Sequence, residues 1–110
     1  MRFEDKGVII TGATGGIGRE TCFQFAAEGA SLAVTDLDLE LAERLAAEIR
    51  AQGGKAIAYQ LDVTDADRTV EVVAAAAADL GSLDVAFCNA GIREIVPAQE
   101  LSIEEFRRVI

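Results

Sequence analysis

Four glycines crowd one short turn near the start of the chain, within the stretch GVIITGATGGIG of residues 7–18. An ordered glycine costs roughly 0.5–1 kcal/mol relative to alanine, so such a cluster indicates that something must come very close to the backbone. The apolar run before the turn predicts a strand, and the periodic residues after it predict a helix. A helix N-terminus after such a turn can bind phosphate, because its unpaired N–H groups and the positive end of its dipole attract anions.

Three of the four glycines in the turn have distinct predicted tasks. Gly12 lets the chain turn sharply off the strand. Gly16 removes a side chain, so that a pyrophosphate can approach the amides of Ile17 and Gly18. Gly18 also allows the helix to pack closely against the sheet. These four residues are therefore candidate cofactor contacts.

Two threonines lie among the glycines, and the hydroxyls of Thr11 and Thr14 can bond either to the turn or to a ligand. We include Thr14 among the candidate cofactor residues. The loop taken alone also fits a purely structural tight turn, since such turns require glycine as well. It does not fit the other common phosphate loop, GxxxxGK[ST], because no lysine follows.

An acidic residue ends the second predicted strand at Asp36, 18 residues after Gly18. There its carboxylate can accept hydrogen bonds from the ribose hydroxyls of an adenosine. The alternative is a cap for a helix that begins at Leu37 or Asp38. Leu37 comes next as a further cofactor candidate, and no basic residue lies between residues 34 and 43 to pair with a 2′-phosphate. This pattern favours NAD over NADP.

The composition limits the classes of protein to which the chain can belong. Its 110 residues, 51% of them hydrophobic, fit a single globular domain. A net charge of −9 argues against nucleic acid and anionic membrane surfaces as partners. The longest apolar run is too short to span a bilayer, and the charged N-terminus does not resemble a signal peptide. Cys22 and Cys88 have no histidine near them, so we expect no metal site, and reduced thiols in a cytoplasmic protein.

Apolar runs alternate with amphipathic stretches along the chain. The predicted strands cover 7–11, 31–36, 55–63 and 83–91, the last of them buried. The first two predicted helices cover 16–28 and 38–52. A third helix is capped by Thr64 or Asp65 and ends at Gly81. A further helix starts near Ser102, and the chain ends within it. Helical spacing predicts the inward-facing residues Ile17, Cys22, Phe25, Ala26, Gly29, Leu41, Ala42, Leu45, Ala46, Ile49, Val70, Val73, Ala74, Ala77 and Leu80. The alternation predicts an α/β fold with a parallel sheet built from right-handed βαβ units.

The motifs together resemble the N-terminal part of a short-chain dehydrogenase/reductase. TGATGGIG at 11–18 is similar to the TGxxxGxG cofactor loop of that family, and NAG at 89–91 to its NNAG motif, with Cys88 in place of the first asparagine. LDV at 61–63 resembles the adenine-pocket segment of the family. The resemblance implies an NAD(P)-dependent oxidoreductase with a Rossmann-like, doubly wound parallel sheet. Here that sheet is incomplete, with about four strands in the order 3-2-1-4.

The resemblance also implies roles for five more residues. Asp62 would bond to the adenine amino group and Val63 would line the ring. Asn89 would brace the sheet, while Ala90 and Gly91 would contact the ribose of the cofactor. For Asp62 a plain turn or cap is the alternative.

No position in the chain matches the catalytic serine, tyrosine or lysine of the family. The only tyrosine, Tyr59, lies in the third predicted strand, and the residue four positions later is Val63, so we expect a packing role for it. SIEEFRRVI at 102–110 resembles the helix that carries the catalytic asparagine in the family, but the chain ends before that residue. Residues 1–110 thus read as a cofactor-binding half-domain, a fragment or a shortened form, which binds NAD without catalysing a reaction by itself.

The resulting hypothesis is the NAD(H)-binding part of an oxidoreductase that interconverts an alcohol and a ketone, with the small substrate bound only in a full-length enzyme. Two alternatives remain open at this point: a free-standing nucleotide-binding module and a self-assembling structural half-domain. In a 3-2-1-4 sheet the fourth strand is an open apolar edge, which predicts self-association through that strand.

Overall fold

Strands and helices alternate along residues 2–90, the part of the chain that the computed structural model describes. The elements are β1 (Gly7–Thr11), α1 (Gly16–Ala27), β2 (Ser31–Asp36), α2 (Leu39–Ala51), β3 (Lys55–Gln60), α3 (Ala66–Leu80) and β4 (Val85–Cys88). The predictions for Gly91 and for the helix near Ser102 lie outside the described residues. Within them no helix is long and apolar enough to cross a membrane.

The four strands form one parallel sheet in the order β3-β2-β1-β4, which confirms the predicted order. In register, Ile9 of β1 lies between Ala33 of β2 and Ala86 of β4. Because all four strands run the same way, their carboxyl ends meet at one edge of the sheet. The loops that follow β1, β2, β3 and β4 therefore lie close together.

Side-chain alternation along β1 divides the core between the two faces of the sheet. Val8 and Ile10 pack on the side of α1 and α2, whereas Ile9 packs with Val72 and Ala76 of α3. Full burial of one such aliphatic side chain contributes about 1.5–3 kcal/mol to the free energy of unfolding. Because apolar side chains are buried on both faces, the packing stabilises the sheet from both sides. This arrangement requires the continuous apolar run that the sequence shows in β1.

The inward face of α1 and α2 is largely as predicted, with two exceptions. Ile17 is 70% exposed and Leu41 is 43% exposed, so the prediction was wrong for both. In each helix this residue directly precedes the first buried one. Successive residues of a helix differ by about 100° in direction, so its side chain points away from the buried face. Predicted residues that are buried are Cys22, Ala42, Leu45, Ala46 and Ile49.

The predicted inward face of α3 was displaced. Val70 is 69% exposed and Val73 is 39% exposed, while Val72 and Ala76 are the buried residues. Residues 72–78 of this helix are apolar at every position, so the periodicity of the sequence did not fix which of them face the sheet. Ala74 is exposed, and the predicted residues that are partly buried are Ala77 and Leu80.

Two strands are shorter than predicted. β3 ends at Gln60, and a turn follows in which the Asp65 N–H donates to the Asp62 carbonyl oxygen at 3.0 Å. β4 covers four residues, and Ala86 and Cys88 are exposed, so the prediction of a buried strand was wrong. The reason is its place at the edge, because β1 is its only partner among the described strands.

The start of β4 is fixed against β1 by reciprocal hydrogen bonds. The Gly7 N–H donates to Asp84 Oδ2 at 2.9 Å, and the Asp84 N–H donates to the Gly7 carbonyl oxygen at 2.8 Å. The hydrogen bond from Gly7, with a second one from the Ser82 hydroxyl, lowers the pKa of the Asp84 carboxyl. β4 is thus aligned with β1 at its start, and its far end lies at the edge where the loops gather.

Candidate functional site

The chain leaves β1 through a sharp turn that requires glycine at two places. Gly12 has a φ of +61°, and a Cβ there would lie 2.8 Å from the Cα of Ala90. A Cβ on Gly18 would overlap the Gly12 carbonyl oxygen and lie 2.9 Å from the Cα of Ala13. The first turn of α1 therefore packs against the loop as closely as the sequence predicted, and only without side chains at these positions.

Gly16 differs from these two glycines. A Cβ built on it has no protein atom within 4 Å, and its φ lies outside the left-handed region. No contact among the described residues therefore requires glycine at this position. The open space lies at the first residue of α1, where the sequence predicted that a pyrophosphate approaches the backbone.

The N-terminus of α1 has no side-chain cap. Its N-cap residue is Gly15, no acidic residue lies in its first turn, and its first backbone hydrogen bond runs from the Arg19 N–H to the Gly15 carbonyl oxygen at 2.8 Å. By contrast, Asp38 caps α2 and Asp65 caps α3, each through a carboxylate that accepts from a backbone N–H. Among residues 2–90 the amides of residues 16–18 thus have no hydrogen-bond partner, and they lie at the positive end of the helix dipole.

The carboxylate of Asp36 lies beside this loop rather than on the helix that follows it. Its Oδ2 accepts from the Thr14 N–H at 3.0 Å and from the Thr14 hydroxyl at 2.7 Å. The predicted alternative, a cap for α2, is not what the structure shows, because Asp38 caps that helix. A marginal 3.5 Å contact from the Asp38 N–H is the only hydrogen bond to Asp36 Oδ1 among the described residues.

The end of β4 is joined to the same loop. Thr11 Oγ1 accepts from the N–H groups of Asn89 and Ala90, each at 3.0 Å. The Asn89 side-chain amide donates to the Gly12 carbonyl oxygen at 3.2 Å. Asn89 thus links the end of β4 to the end of β1, and Ala90 is brought against Gly12. Thr11, outside the predicted cofactor set, organises this junction; its place directly before Gly12 was the only signal in the sequence.

The predicted adenine-side residues lie after β2 and β3. Asp62 Oδ1 accepts from the N–H and hydroxyl of Thr64, at 2.9 Å and 2.6 Å, and these bonds lower the pKa of the Asp62 carboxyl. Leu37 is 61% exposed and Val63 is 49% exposed. Val63 and Ala90 line one cavity of about 280 Å³. The turn role of Asp62 is thus visible in the structure, and apolar surface is exposed beside it.

Tyr59 is engaged away from this site. Its hydroxyl donates to Asp79 Oδ2 at 2.6 Å, which connects β3 to α3. Burial, the hydrogen bond and the negative charge of Asp79 all raise the pKa of the phenol. A phenol held in this way is a poor proton donor, and the contact supports the predicted packing role.

The sequence as a whole now decides the family. The sequence model of a protein family described as short chain dehydrogenase matches residues 6–110 of this chain. The chain belongs to the short-chain dehydrogenase family. The four-stranded parallel sheet in the order β3-β2-β1-β4 is therefore the fold of a member of this family.

Individual relatives cover nearly all of this chain. Cyclohexanol dehydrogenase from Acinetobacter sp. strain SE19 is 42% identical over 110 residues, 99% of this chain and 44% of that protein. Cyclopentanol dehydrogenase from Comamonas testosteroni is 40% identical over 108 residues, 98% of this chain and 43% of that protein. The crystal structure of a hydroxysteroid dehydrogenase from Escherichia coli aligns with a TM-score of 0.91 at 36% identity, over 97% of this chain and 45% of that one. The chain thus spans less than half the length of these relatives.

Alanine substitutions at Gly16 and Gly18 should distinguish a glycine that close packing requires from one that faces open space. We expect Gly18→Ala to destabilise the fold by about 1–3 kcal/mol, because its methyl group overlaps the Gly12 carbonyl oxygen. Gly16→Ala should keep the stability of the unchanged protein or exceed it slightly, since alanine is the better helix former. Urea denaturation followed by circular dichroism measures both. An equal loss of stability in the two variants would contradict this account of the turn.

Proposed function

We propose that this chain binds NAD(H) and forms the cofactor-binding half of an oxidoreductase that interconverts an alcohol and a ketone. The observation that carries the proposal is the open space at Gly16, in front of the uncapped amides of residues 16–18. The alcohol and ketone substrate class draws support from the family and from two relatives named for cyclic alcohols. The protein partner of this half is the remainder of the enzyme, and no nucleic acid is expected.

The phosphate end of the dinucleotide fits α1. A pyrophosphate needs several N–H donors and room to approach them, and both occur at the start of this helix. Gly12 and Gly18 are occupied by packing within the protein, whereas Gly16 is not. The loop therefore contains two glycines that the fold requires and one that a ligand would explain.

The ribose end fits Asp36. Its Oδ1 is placed to accept from a ribose hydroxyl, while Oδ2 is held by Thr14. A 2′-phosphate at this place would meet a carboxylate, and no lysine or arginine lies between residues 34 and 43 to neutralise it. The first basic residue after β2 is Arg44, which pairs with Glu40 at 2.6 Å. These charges favour NAD over NADP.

The adenine end fits the apolar surface after β2 and β3. Leu37 and Val63 are exposed, and Ala90 lines the same cavity as Val63. Covering this surface with a flat aromatic base removes it from water, at roughly 25 cal/mol per Å². Asp62, with Oδ1 held by Thr64, can offer Oδ2 to the adenine amino group.

When bound, the nicotinamide supplies hydride transfer between the alcohol and ketone forms of the substrate. The task of the described residues is to hold and orient the dinucleotide, and we assign no catalytic residue among them. Tyr59 is excluded because its hydroxyl is committed to Asp79. A cytoplasmic location belongs to the same proposal, because Cys22 and Cys88 are both free thiols.

Calorimetric titration with NADH, NADPH and ATP tests the proposal. We expect saturable NADH binding that is at least about tenfold tighter than NADPH binding, a difference of about 1.4 kcal/mol. Gly16→Ala should weaken NADH binding by about tenfold or more without loss of stability, because its methyl group occupies the path of the pyrophosphate. The control variant is Asp38→Asn, which neutralises a second carboxylate two residues after Asp36. Asp38 caps α2, and this variant should bind NADH as the unchanged protein does. Equal affinity for all three nucleotides would reduce the site to a general phosphate site and favour a nucleotide-binding module.

The exposed edge of β4 supports a second proposal, self-association of this chain. Ala86 and Cys88 are exposed on a strand whose one described partner is β1. Unpaired strand edges of this kind pair readily with another chain.

Sedimentation velocity over a concentration series measures this association. We expect the average mass to rise with concentration, and Ala86→Lys to suppress that rise because a charge on the edge opposes pairing. Ala78→Lys, on the exposed side of α3, is the control and should associate like the unchanged chain. A monomer at every concentration would refute the proposal.

A further inference from the structure

The hydrogen bonds between Thr14 and Asp36 restrain the carboxylate on which the choice of cofactor depends. Both bonds end on the same oxygen, Oδ2, one from the backbone N–H and one from the side-chain hydroxyl of Thr14. A hydroxyl that donates to a carboxylate at 2.7 Å makes a charge-assisted bond, stronger than a neutral one. Two donors on one oxygen fix the plane of the carboxylate as well as its position.

The second oxygen of the same carboxylate is left open by this arrangement. Oδ1 has only the 3.5 Å contact from the Asp38 N–H among the described residues, so its acceptor capacity is largely unused. Asp36 and Thr14 are both half-buried, at the ends of the second strand and the first loop. One oxygen is therefore held by the protein, and the other is presented in a fixed direction.

The backbone around this pair is fixed without the Thr14 hydroxyl. The Ala13 N–H donates to the Thr35 carbonyl oxygen at 3.0 Å, and the Thr35 hydroxyl donates to the Ile10 carbonyl oxygen at 2.8 Å. Thr35 is fully buried. Loss of the Thr14 hydroxyl should therefore loosen the Asp36 side chain, which keeps only the bond from the Thr14 N–H, while the loop and the strand ends keep their places.

We propose that Thr14 is the positioning residue that makes Asp36 selective for an unphosphorylated ribose. This inference rests on the proposed function, since it concerns the same NAD site. Held by Thr14, the carboxylate can accept from a 2′-hydroxyl through Oδ1 and cannot turn away from a 2′-phosphate. Without the hydroxyl only the Thr14 N–H restrains the carboxylate, so its orientation varies more, and it accepts from the ribose less well and repels the phosphate less strongly.

The test compares Thr14→Val, Thr14→Ala and Thr14→Ser by calorimetric titration with NADH and NADPH, and records the melting temperature of each variant. Valine has the shape of threonine without the hydroxyl, alanine is a smaller replacement should valine not fold, and serine restores the donor. All three variants keep the backbone N–H. We expect valine and alanine to weaken NADH binding by about tenfold and NADPH binding by less than about twofold.

The ratio of the two dissociation constants is the decisive quantity, because a general disturbance of the loop changes both alike. In Thr14→Val the preference for NADH should fall by about fivefold or more, and Thr14→Ser should retain it within about twofold. Equal weakening of NADH and NADPH would overturn the role of Thr14 and leave the proposed function standing. Absence of NADH binding in the unchanged, folded protein would overturn both.

Discussion

The structure depends on how closely the β1–α1 turn lies against the backbone at the end of β4. Gly12 and Ala90 approach so nearly that no Cβ fits between them, and Gly18 lies equally close to the turn from the other side. Bulk at either position would push α1 off the sheet or separate β4 from β1. The glycines cost conformational entropy, and the close packing they permit places the start of α1 at the carboxyl edge of the sheet.

Hydrogen bonds then connect the strand ends into one unit. Thr11 holds the backbone after β4, and Asp36 at the end of β2 holds Thr14 in the loop after β1. Each of these bonds joins residues that lie far apart in the sequence, so they form only when the sheet has its final order. The groups left largely without partners among the described residues, the amides of residues 16–18 and Asp36 Oδ1, lie on the same edge. Packing and the proposed ligand recognition are therefore separate uses of one loop, with different residues assigned to each.

Sequence patterns predicted the elements of the sheet well because two strong physical signals coincide there. Continuous apolar runs mark strands covered on both faces, as in β1, and glycines mark the turns between elements. The same reasoning failed where a signal was weak. In α3 the uninterrupted apolar run 72–78 did not indicate which of its residues face the sheet, and β4 was predicted to be buried although it lies at an edge.

The candidate site was predictable in its residue types and only partly in its contacts. Gly12 could be assigned the sharp turn and Gly18 close packing from spacing alone, whereas the approach of Gly12 to Ala90 joins distant parts of the chain and was not predicted. The partner of Asp36 could not be assigned from spacing, since Thr14 lies 22 residues earlier in the chain and meets it only in the folded sheet. The open space at Gly16 likewise depends on the folded arrangement of the described residues, among which a Cβ at this position has no neighbour within 4 Å.

The central claim is that the free amides at the start of α1 bind the dinucleotide, and backbone amide chemical shifts measured during an NADH titration test it most directly. The account predicts that the largest shifts occur at residues 16–18 and that the capped N-termini of α2 and α3 change little. Saturable shifts confined to other residues, with residues 16–18 unmoved, would contradict it.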